Sequence, residues 1–278
     1  HPVWLRVVLR SSTASRWVWV VGTPQLEQVE WFHGPAGALT RRQEAGLAPM
    51  QAGRVPTQRL PTLALTLEAQ APVTVYMRVT SSGLMQVPVE MWEPGVWQEE
   101  ERRMHGLLGG YFGLLAALLA YNGFLALRLR DQAYGYYIGF GLSLGAFQCG
   151  STGFGPSLVW AFNPLWTYPI LNLSLTLMGG FALLFTDSFL RMPRVNPRLS
   201  VMLRVTTATW AVALLLHAWL PAQTVMTWMS IPLALLSLVL IMTGGVKGCL
   251  ARTPAAVYFL LGWSGIVVAA LLRILLER

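Results

Sequence analysis

The chain has 278 residues, of which 54% are hydrophobic and only 12% are charged, a balance that suits one large soluble domain poorly and two unlike halves better. Its formal net charge of +8 is divided unevenly, with +1 in residues 1–105 and +7 in residues 106–278. Basic residues do not form a patch interleaved with aromatic ones, so the charge excludes a nucleic-acid-binding protein and instead indicates membrane topology.

The N-terminal half shows the alternation of apolar and polar residues that is typical of β-strands. Val3, Leu5, Val7 and Leu9 form one apolar row, and similar segments recur between turn-forming Gly, Pro and Ser residues. The predicted strands are 3–9, 17–21, 28–32, 63–67, 73–79 and 87–91. Residues 41–59 show no clear alternation and are predicted to form a loop. Six short strands within about 90 residues predict an all-β sandwich over residues 1–96.

Six residues on the strand faces opposite the apolar rows are candidates for ligand binding. Aromatic rings beside guanidinium and carboxylate groups can stack on sugar rings and hydrogen-bond their hydroxyls. The candidates are Trp4, Arg6, Trp19, Tyr76, Arg78 and Trp92. The alternative, which is the commoner situation in β-domains, is that these side chains pack beneath other segments or cover apolar surface with their stems.

From Met104 onward, long apolar segments predict an all-α bundle of transmembrane helices. No Asp, Glu, Lys or Arg occurs in residues 132–186, a stretch long enough for two crossings of about 20 residues each. A short polar lead-in, residues 97–105, precedes the first span. The six predicted spans are 106–127, 133–152, 166–186, 205–220, 224–246 and 255–272. The membrane domain is therefore predicted to cover residues 106–278.

The connections between the predicted spans differ in charge. Those after spans two and four carry no charged residue, whereas those after spans one, three and five carry eight basic residues: Arg128, Arg130, Arg191, Arg194, Arg198, Arg204, Lys247 and Arg252. Because basic loops stay in the cytoplasm, the β domain is predicted to lie outside. Four aromatic residues are then predicted at the outer membrane interface: Trp160, Trp166, Tyr168 and Trp219.

The sequence predicts no catalytic site, metal site or cofactor. The histidines show no spacing with a nucleophile or base, and Gly-rich phosphate loops and paired catalytic carboxylates are not found. The chain is therefore predicted not to be an enzyme. Cys149 and Cys249 would lie near opposite faces of an apolar layer about 30 Å thick, too far apart for a disulfide.

Short motifs along nearly the whole chain carry a resemblance to a known family. In the N-terminal half they are Pro2-Val3-Trp4-Leu5-Arg6-Val7-Val8-Leu9, Leu26-Glu27-Gln28-Val29-Glu30, Val75-Tyr76-Met77-Arg78-Val79-Thr80-Ser81-Ser82-Gly83 and Val87-Pro88-Val89-Glu90-Met91-Trp92. In the membrane half they are Gly110-Tyr111-Phe112-Gly113, Ala120-Tyr121-Asn122-Gly123-Phe124 and Arg130-Asp131-Gln132-Ala133-Tyr134-Gly135-Tyr136-Tyr137. Together and in this order they resemble the bacterial seven-transmembrane receptors with diverse intracellular signalling modules.

That resemblance implies an external jelly-roll domain similar to carbohydrate-binding modules, followed by seven helices and a cytoplasmic output module. The output would be a histidine kinase, a diguanylate cyclase or a phosphatase, and a kinase or cyclase output implies a homodimer. The chain departs from the family pattern because it lacks the leading strands, the seventh span and the output module. We therefore expect a segment of a longer protein that begins before His1 and continues beyond Arg278. The resemblance identifies no ligand-binding residue.

These observations predict part of a sensory receptor of the bacterial inner membrane. It would detect an extracytoplasmic small molecule or glycan and signal to a cytoplasmic module in the same chain, with membrane lipid around it and no nucleic-acid partner. The alternative is a transporter or a membrane-embedded enzyme with a β accessory domain. That alternative requires ionisable residues or helix breaks at mid-membrane. Only Pro169 and Pro232 offer such breaks, and no carboxylate lies within a predicted span.

Overall fold

The computed structural model describes residues 2–34, 40–47, 59–69, 72–81, 86–161, 163–220 and 222–276. Its N-terminal part contains two antiparallel sheets. The strands are β1 (Val3–Leu9), β2 (Ser15–Val21), β3 (Gln28–Gly34), β4 (Thr40–Ala45), β5 (Thr62–Leu67), β6 (Val73–Thr80) and β7 (Val89–Trp92). One sheet has the order β1-β6-β3-β4 and the other the order β5-β2-β7. All six strands predicted from the alternation are present, with small differences at their ends.

The inner faces of the two sheets form one hydrophobic core, which confirms the predicted β-sandwich. Trp19, Leu63 and Leu65 from the three-stranded sheet pack with Trp31 and Met77 from the four-stranded sheet, and all five are at least 97% buried. Burying a large apolar side chain contributes about 1.5–3 kcal/mol, so this core is the main source of stability for the domain.

The prediction of a loop over residues 41–59 was wrong at its beginning, because Thr40–Ala45 forms the edge strand β4. This strand has almost no apolar residue, and so it lacks the alternation by which a half-buried strand is recognised. Its inner position is taken by Gln43, whose side-chain amide donates a 2.7 Å hydrogen bond to the Thr62 carbonyl of the other sheet. A polar edge strand also discourages pairing with other chains. Residues 48–58 lie outside the described part of the chain.

Helices make up the rest of the described chain. They are α1 (Pro94–Leu129), α2 (Gln132–Ser151), α3 (Thr167–Phe189), α4 (Met192–Val195), α5 (Pro197–Leu216), α6 (Ala222–Val225), α7 (Ile231–Leu250) and α8 (Pro254–Leu276). Single turns of other helix types connect some of them, at Gly155–Val159, Pro164–Trp166 and Met226–Ser230. A β domain followed by a helical region is the predicted fold class.

Two differences between the helix boundaries and the predicted spans concern the polar residues beside a span. The polar lead-in and the first span form one 36-residue helix, α1. At 1.5 Å per residue it is about 54 Å long, well beyond the roughly 30 Å of a bilayer core. The fourth span begins earlier than predicted, at Pro197, so Arg198 and Arg204 belong to the first turns of α5 and not to a loop. Asn196 caps α5 by accepting a 3.1 Å hydrogen bond from the Leu199 backbone N–H.

Four helical segments of the described chain are long and apolar enough to cross a membrane. They are Pro94–Leu129, Pro164–Phe189, Pro197–Leu216 and Trp228–Leu250. The predicted spans in α2 and α8 are not among these four. Tyr, Gly, Ser and Gln take many positions of α2, which explains its lower hydropathy.

The chain divides into two compact units. One contains residues 1–114 and 145–171, and the other contains residues 115–144 and 172–278. The second unit has its own core around Leu183, Leu203 and Trp210, all at least 98% buried. The Trp210 indole donates a 3.0 Å hydrogen bond to Ser237 Oγ, which joins α5 to α7. Cys149 and Cys249 are both free thiols.

Three arginines adopt the left-handed backbone conformation directly after a helix. Arg130, Arg191 and Arg252 have φ angles of 53°, 52° and 55° and follow α1, α3 and α7. Glycine is the usual residue at this position, because a left-handed conformation costs other residues about 1–2 kcal/mol. All three arginines belong to the basic connections that the sequence predicts to be cytoplasmic.

Candidate ligand-binding site

The outer face of the four-stranded sheet carries two rows of aromatic and charged residues. In the antiparallel register, Trp4 of β1 is opposite Arg78 of β6, which is opposite Glu30 of β3. In the next outer row, Arg6 is opposite Tyr76, which is opposite Phe32. Residues directly across a ladder lie close enough for their side chains to interact. We call these six residues the outer-face cluster.

The first row is organised by one ion pair. Arg78 Nη1 lies 3.1 Å from Glu30 Oε2, and Glu30 is 94% buried. The same guanidinium lies 6.0 Å from the centre of the Trp4 ring, within the range of a cation–π contact. Trp4 also packs against Phe32, at 5.7 Å between ring centres. The Trp4 indole is thus held on two sides while 56% of the residue stays exposed.

The second row repeats the pairing of a cation with a ring. The Arg6 guanidinium lies 5.8 Å from the centre of the Tyr76 ring, and Arg6 is exposed. An open indole beside guanidinium groups can bind a ligand that has both an apolar face and hydroxyl groups. Sugars have both features.

The structure brings four of the six sequence-predicted candidates together. Trp4, Arg6, Tyr76 and Arg78 all belong to the outer-face cluster. Trp92 lies on the three-stranded sheet, where its indole donates a 2.9 Å hydrogen bond to Glu90 and its ring is 6.1 Å from that of Trp97 in α1.

The sixth candidate, Trp19, was assigned to the wrong face. It is 98% buried in the sandwich core. Residues 17–21 read Trp-Val-Trp-Val-Val, and a strand that is apolar at every position gives no alternation from which to choose the inner face. Trp19 therefore cannot contact a ligand on the surface.

Two members of the cluster, Glu30 and Phe32, were not among the predicted candidates. They alternate with the buried residues Val29 and Trp31 in β3, so the period of two would have placed them on the outer face. What the period could not show is that β3 lies next to β6. That neighbour relation puts the Glu30 carboxylate beside Arg78.

The same unit contains a second group of polar contacts, between the sandwich and helical residues, which we call the junction. Arg59 Nη1 donates a 3.1 Å hydrogen bond to the Thr152 carbonyl after α2, and Arg59 Nη2 lies 3.4 Å from Glu101 Oε2 in α1. Gly153 follows with a φ of +78°, and a Cβ there would lie 2.6 Å from the Arg59 carbonyl oxygen. Only glycine fits this close approach of two backbones.

Tyr168, near the start of α3, provides another junction contact. Its hydroxyl donates a short hydrogen bond to the Gln25 carbonyl and lies 3.3 Å from Ser81 Oγ. Trp160, which the sequence predicts at the outer membrane interface, is 93% buried within the protein and donates a 3.0 Å hydrogen bond to Thr167 Oγ1. Trp166 and Trp219 are exposed, at 54% and 85%.

In the part of the chain that the structure describes, His, Cys, Asp and Glu side chains form no group of three that could hold a metal ion. Apart from the Glu30 carboxylate, which is paired with Arg78, the chemical groups of the outer-face cluster are hydrogen-bond donors and aromatic faces. They suit binding of a ligand.

Comparison with protein families gives two matches that together cover most of the chain. The model described as 7TMR-DISM extracellular 2 matches residues 1–93, and the model described as 7TM diverse intracellular signalling matches residues 105–277. Neither the curated proteins nor the solved structures give a match. Both matched domains are sensory and not catalytic. The chain belongs to the seven-transmembrane receptor family with diverse intracellular signalling modules, and it is a transmembrane sensory receptor with an extracellular β domain.

Proposed function

We propose that the receptor detects a carbohydrate through the outer-face cluster and transmits its binding to a cytoplasmic output module, a histidine kinase or a diguanylate cyclase. The observation that carries this proposal is the Trp4 indole, which is held by Phe32 and Arg78 and yet remains more than half exposed. A large aromatic ring with an open face is a favourable platform for the apolar face of a sugar ring. Arg78 and Arg6 supply donors for its hydroxyls.

The charge of the connections supports an orientation with the sandwich outside the inner membrane. The eight basic residues all lie at one set of helix ends, even though Arg198 and Arg204 belong to α5 and not to the loop. Basic residues within a few turns of a span contribute to its orientation as loop residues do. In this orientation the outer-face cluster meets ligands from outside the cytoplasm.

Transmission requires two arrangements of the protein for which the ligand has different affinities. We propose that these two arrangements differ in the contacts of the junction. Arg59 connects the sandwich to α1 through Glu101 and to the end of α2 through Thr152, and Tyr168 connects it to the start of α3. A ligand that shifts the sandwich would change these contacts and thereby bias three helices.

A sugar-binding experiment tests the ligand. The chain in lipid nanodiscs is screened with monosaccharides and oligosaccharides for an increase in the temperature at which it unfolds. For a sugar that stabilises it, we expect Trp4→Ala and Arg78→Gln each to weaken binding by about tenfold or more. Trp92→Ala, which removes an indole from the other sheet, is the matched control and should bind normally. Equal losses in Trp4→Ala and Trp92→Ala would contradict the proposed site.

A signalling experiment tests transmission separately. The chain is fused to a reporter kinase or cyclase through an added seventh transmembrane helix, because the six predicted spans would leave its C-terminus outside the cytoplasm. Output is measured with and without the stabilising sugar. We expect Arg59→Ala to retain sugar binding while losing most of the change in output, because it removes junction contacts and leaves the outer-face cluster intact. Output that follows sugar binding unchanged in Arg59→Ala would contradict a role for the junction.

A further inference from the structure

The second unit contains a large polar cavity at the helix ends. Its volume is about 580 Å³, and it is lined by the start of α2, the end of α3, the segment through α4, and α5. The charged residues of its lining are Asp131, Asp187, Arg191, Arg194 and Arg204. The proposed ligand binding and transmission do not involve this cavity, which belongs to one compact unit.

One acidic residue of the lining is already neutralised. Asp187 is 93% buried, and its two carboxylate oxygens accept hydrogen bonds from Arg204 Nε at 2.9 Å and from Ser200 Oγ at 2.6 Å. A buried carboxylate needs such partners, because an unpaired charge inside a protein is costly. Asp187 and Arg204 therefore form a closed pair that adds no net charge to the cavity.

The other acidic residue has a structural role at a helix start. Asp131 precedes α2, and its Oδ1 accepts a 2.9 Å hydrogen bond from the Ala133 backbone N–H. This is an N-terminal cap, in which the carboxylate also meets the positive end of the helix dipole. Asp131 is thus partly compensated by its own helix.

The two remaining arginines have no ion-pair partner among the described residues. Arg191 and Arg194 are exposed and line the cavity. Their backbones are held in place, because the Arg191 carbonyl accepts a 2.9 Å hydrogen bond from the Arg194 N–H within one turn. The lining carries a net charge of +1 over its five charged residues, with the excess at this pair.

Arg191 shares its left-handed backbone conformation with Arg130 and Arg252. With a φ of 52°, it occupies a position after α3 where glycine would be favoured. An arginine here accepts a conformational cost of about 1–2 kcal/mol. What distinguishes Arg191 from the other two arginines is that it lines the cavity.

We propose that this cavity binds a phosphate group, held by the guanidinium groups of Arg191 and Arg194. Guanidinium groups match phosphate oxygens in geometry and can bind them with two parallel hydrogen bonds. Tyr136 and Gln132 in the same lining provide further donors. The site does not depend on which side of the membrane the connections face.

The position at the end of a membrane-spanning helix identifies the main source of such a group. The segment Pro164–Phe189 is a candidate span, and the cavity begins at its last turns. Phospholipid headgroups lie at this depth, and basic pockets between helix ends bind anionic ones. A soluble phosphate compound offers the same chemistry from the aqueous side.

The experiment measures phosphate ligands on the purified chain. It is placed in nanodiscs of phosphatidylcholine alone, of phosphatidylcholine with cardiolipin, or of phosphatidylcholine alone with inorganic phosphate in the buffer. Thermal stability and, after transfer to detergent, the lipid retained in native mass spectra are recorded. We expect stabilisation by cardiolipin, and we expect Arg191→Gln with Arg194→Gln to reduce retained cardiolipin by about tenfold or more. Arg194→Gln alone leaves one of the two guanidinium groups in place and should therefore reduce retained cardiolipin less than the double variant.

The control removes two positive charges from other positions among the basic residues of the helix connections. Arg198→Gln with Arg252→Gln changes two exposed arginines that do not line the cavity and should retain cardiolipin normally. Stabilisation by inorganic phosphate and not by cardiolipin, lost in the Arg191 and Arg194 variants, would assign the site to a soluble phosphate compound. Equal loss of cardiolipin in control and cavity variants, or no loss in either, would overturn the proposal.

Discussion

Arg59 and Glu101 form an ion pair between the sandwich and α1, with 3.4 Å between Arg59 Nη2 and Glu101 Oε2. Their side chains are only 13% and 17% exposed, so the pair is largely removed from water. Ion pairs in such surroundings are less screened than those on a surface. The carboxylate also lies 3.9 Å from the His105 ring. Glu101 thus contacts both Arg59 and His105 from within the helix that leads into the membrane.

A double-mutant cycle on this pair should give a measurable coupling. We expect Arg59→Ala and Glu101→Gln to destabilise the protein less together than the sum of their separate effects, with a coupling of about 1–2 kcal/mol. The physical reason is that each single change leaves one charge partly buried without its partner. Thermal unfolding of the four proteins in nanodiscs provides the measurement.

The matched control is an ion pair on the same helix that is open to water. Arg102 lies 3.1 Å from Glu99, with side chains 75% and 70% exposed. Its cycle should give a coupling of no more than about 0.5 kcal/mol. Couplings of the same size in both cycles would show that the partial burial of Arg59 and Glu101 has no effect.

Replacing Gly153 by alanine should disturb the junction. The φ of +78° is unfavourable for alanine, and its Cβ would lie 2.6 Å from the Arg59 carbonyl oxygen and 2.8 Å from Pro24 Cβ. We expect Gly153→Ala to reduce the free energy of unfolding by about 2 kcal/mol or more. Gly109→Ala is the control, because nothing lies within 4 Å of that position in α1 and alanine is the better helix former. Similar losses in both variants would refute the close approach.

Truncation of Trp4 and of Trp19 should destabilise the protein to very different extents. Trp19→Ala empties the sandwich core and should cost about 3–5 kcal/mol of unfolding free energy. Trp4→Ala removes an exposed ring and should cost about 1 kcal/mol or less. Denaturant unfolding followed by circular dichroism measures both. If Trp4→Ala were the more damaging change, the assignment of faces in β1 and β2 would be wrong.

Replacing Arg252 by glycine should stabilise the end of α7. Arg252 has a φ of 55°, its N–H bonds the Cys249 carbonyl at 2.9 Å, and the Thr253 N–H bonds the Gly248 carbonyl at 3.0 Å. This is the Schellman pattern, in which glycine is preferred at the position of Arg252. We expect Arg252→Gly to be about 1 kcal/mol more stable than Arg252→Ala in thermal unfolding. Both variants lose the same charge, so equal stabilities would exclude a backbone cost.

Thiol labelling should show the two sides of the membrane. In a background of Cys149→Ser and Cys249→Ser, single cysteines are introduced at the exposed positions Ser12 and Arg198. A membrane-impermeant maleimide applied to intact spheroplasts should label Ser12→Cys, and it should label Arg198→Cys only after the cells are opened. Labelling of Arg198→Cys alone in intact cells would reverse the proposed orientation.

The local sequence pattern was sufficient to predict a strand or helix wherever one face of the element is apolar and the other is polar. The alternation in β1 and β6 predicted both strands, and long apolar runs predicted the helices, since partition between water and an apolar interior depends on the local sequence. The pattern failed where this contrast vanishes. β2 is apolar on both faces, which hid the burial of Trp19, and β4 is polar almost throughout, which hid the strand itself.

By itself, the sequence determined the order of the parts, the β domain before the helices, and the uneven charge of the helix connections. Only the tertiary structure decided which side chains meet. Trp4, Arg78 and Glu30 come from three strands whose neighbour relation is set by how the sheets bury their inner faces. Arg59 finds Glu101 and Thr152 at separations of 42 and 93 residues. Periodicity acts over a few residues, whereas such contacts arise when distant segments pack to remove apolar surface from water.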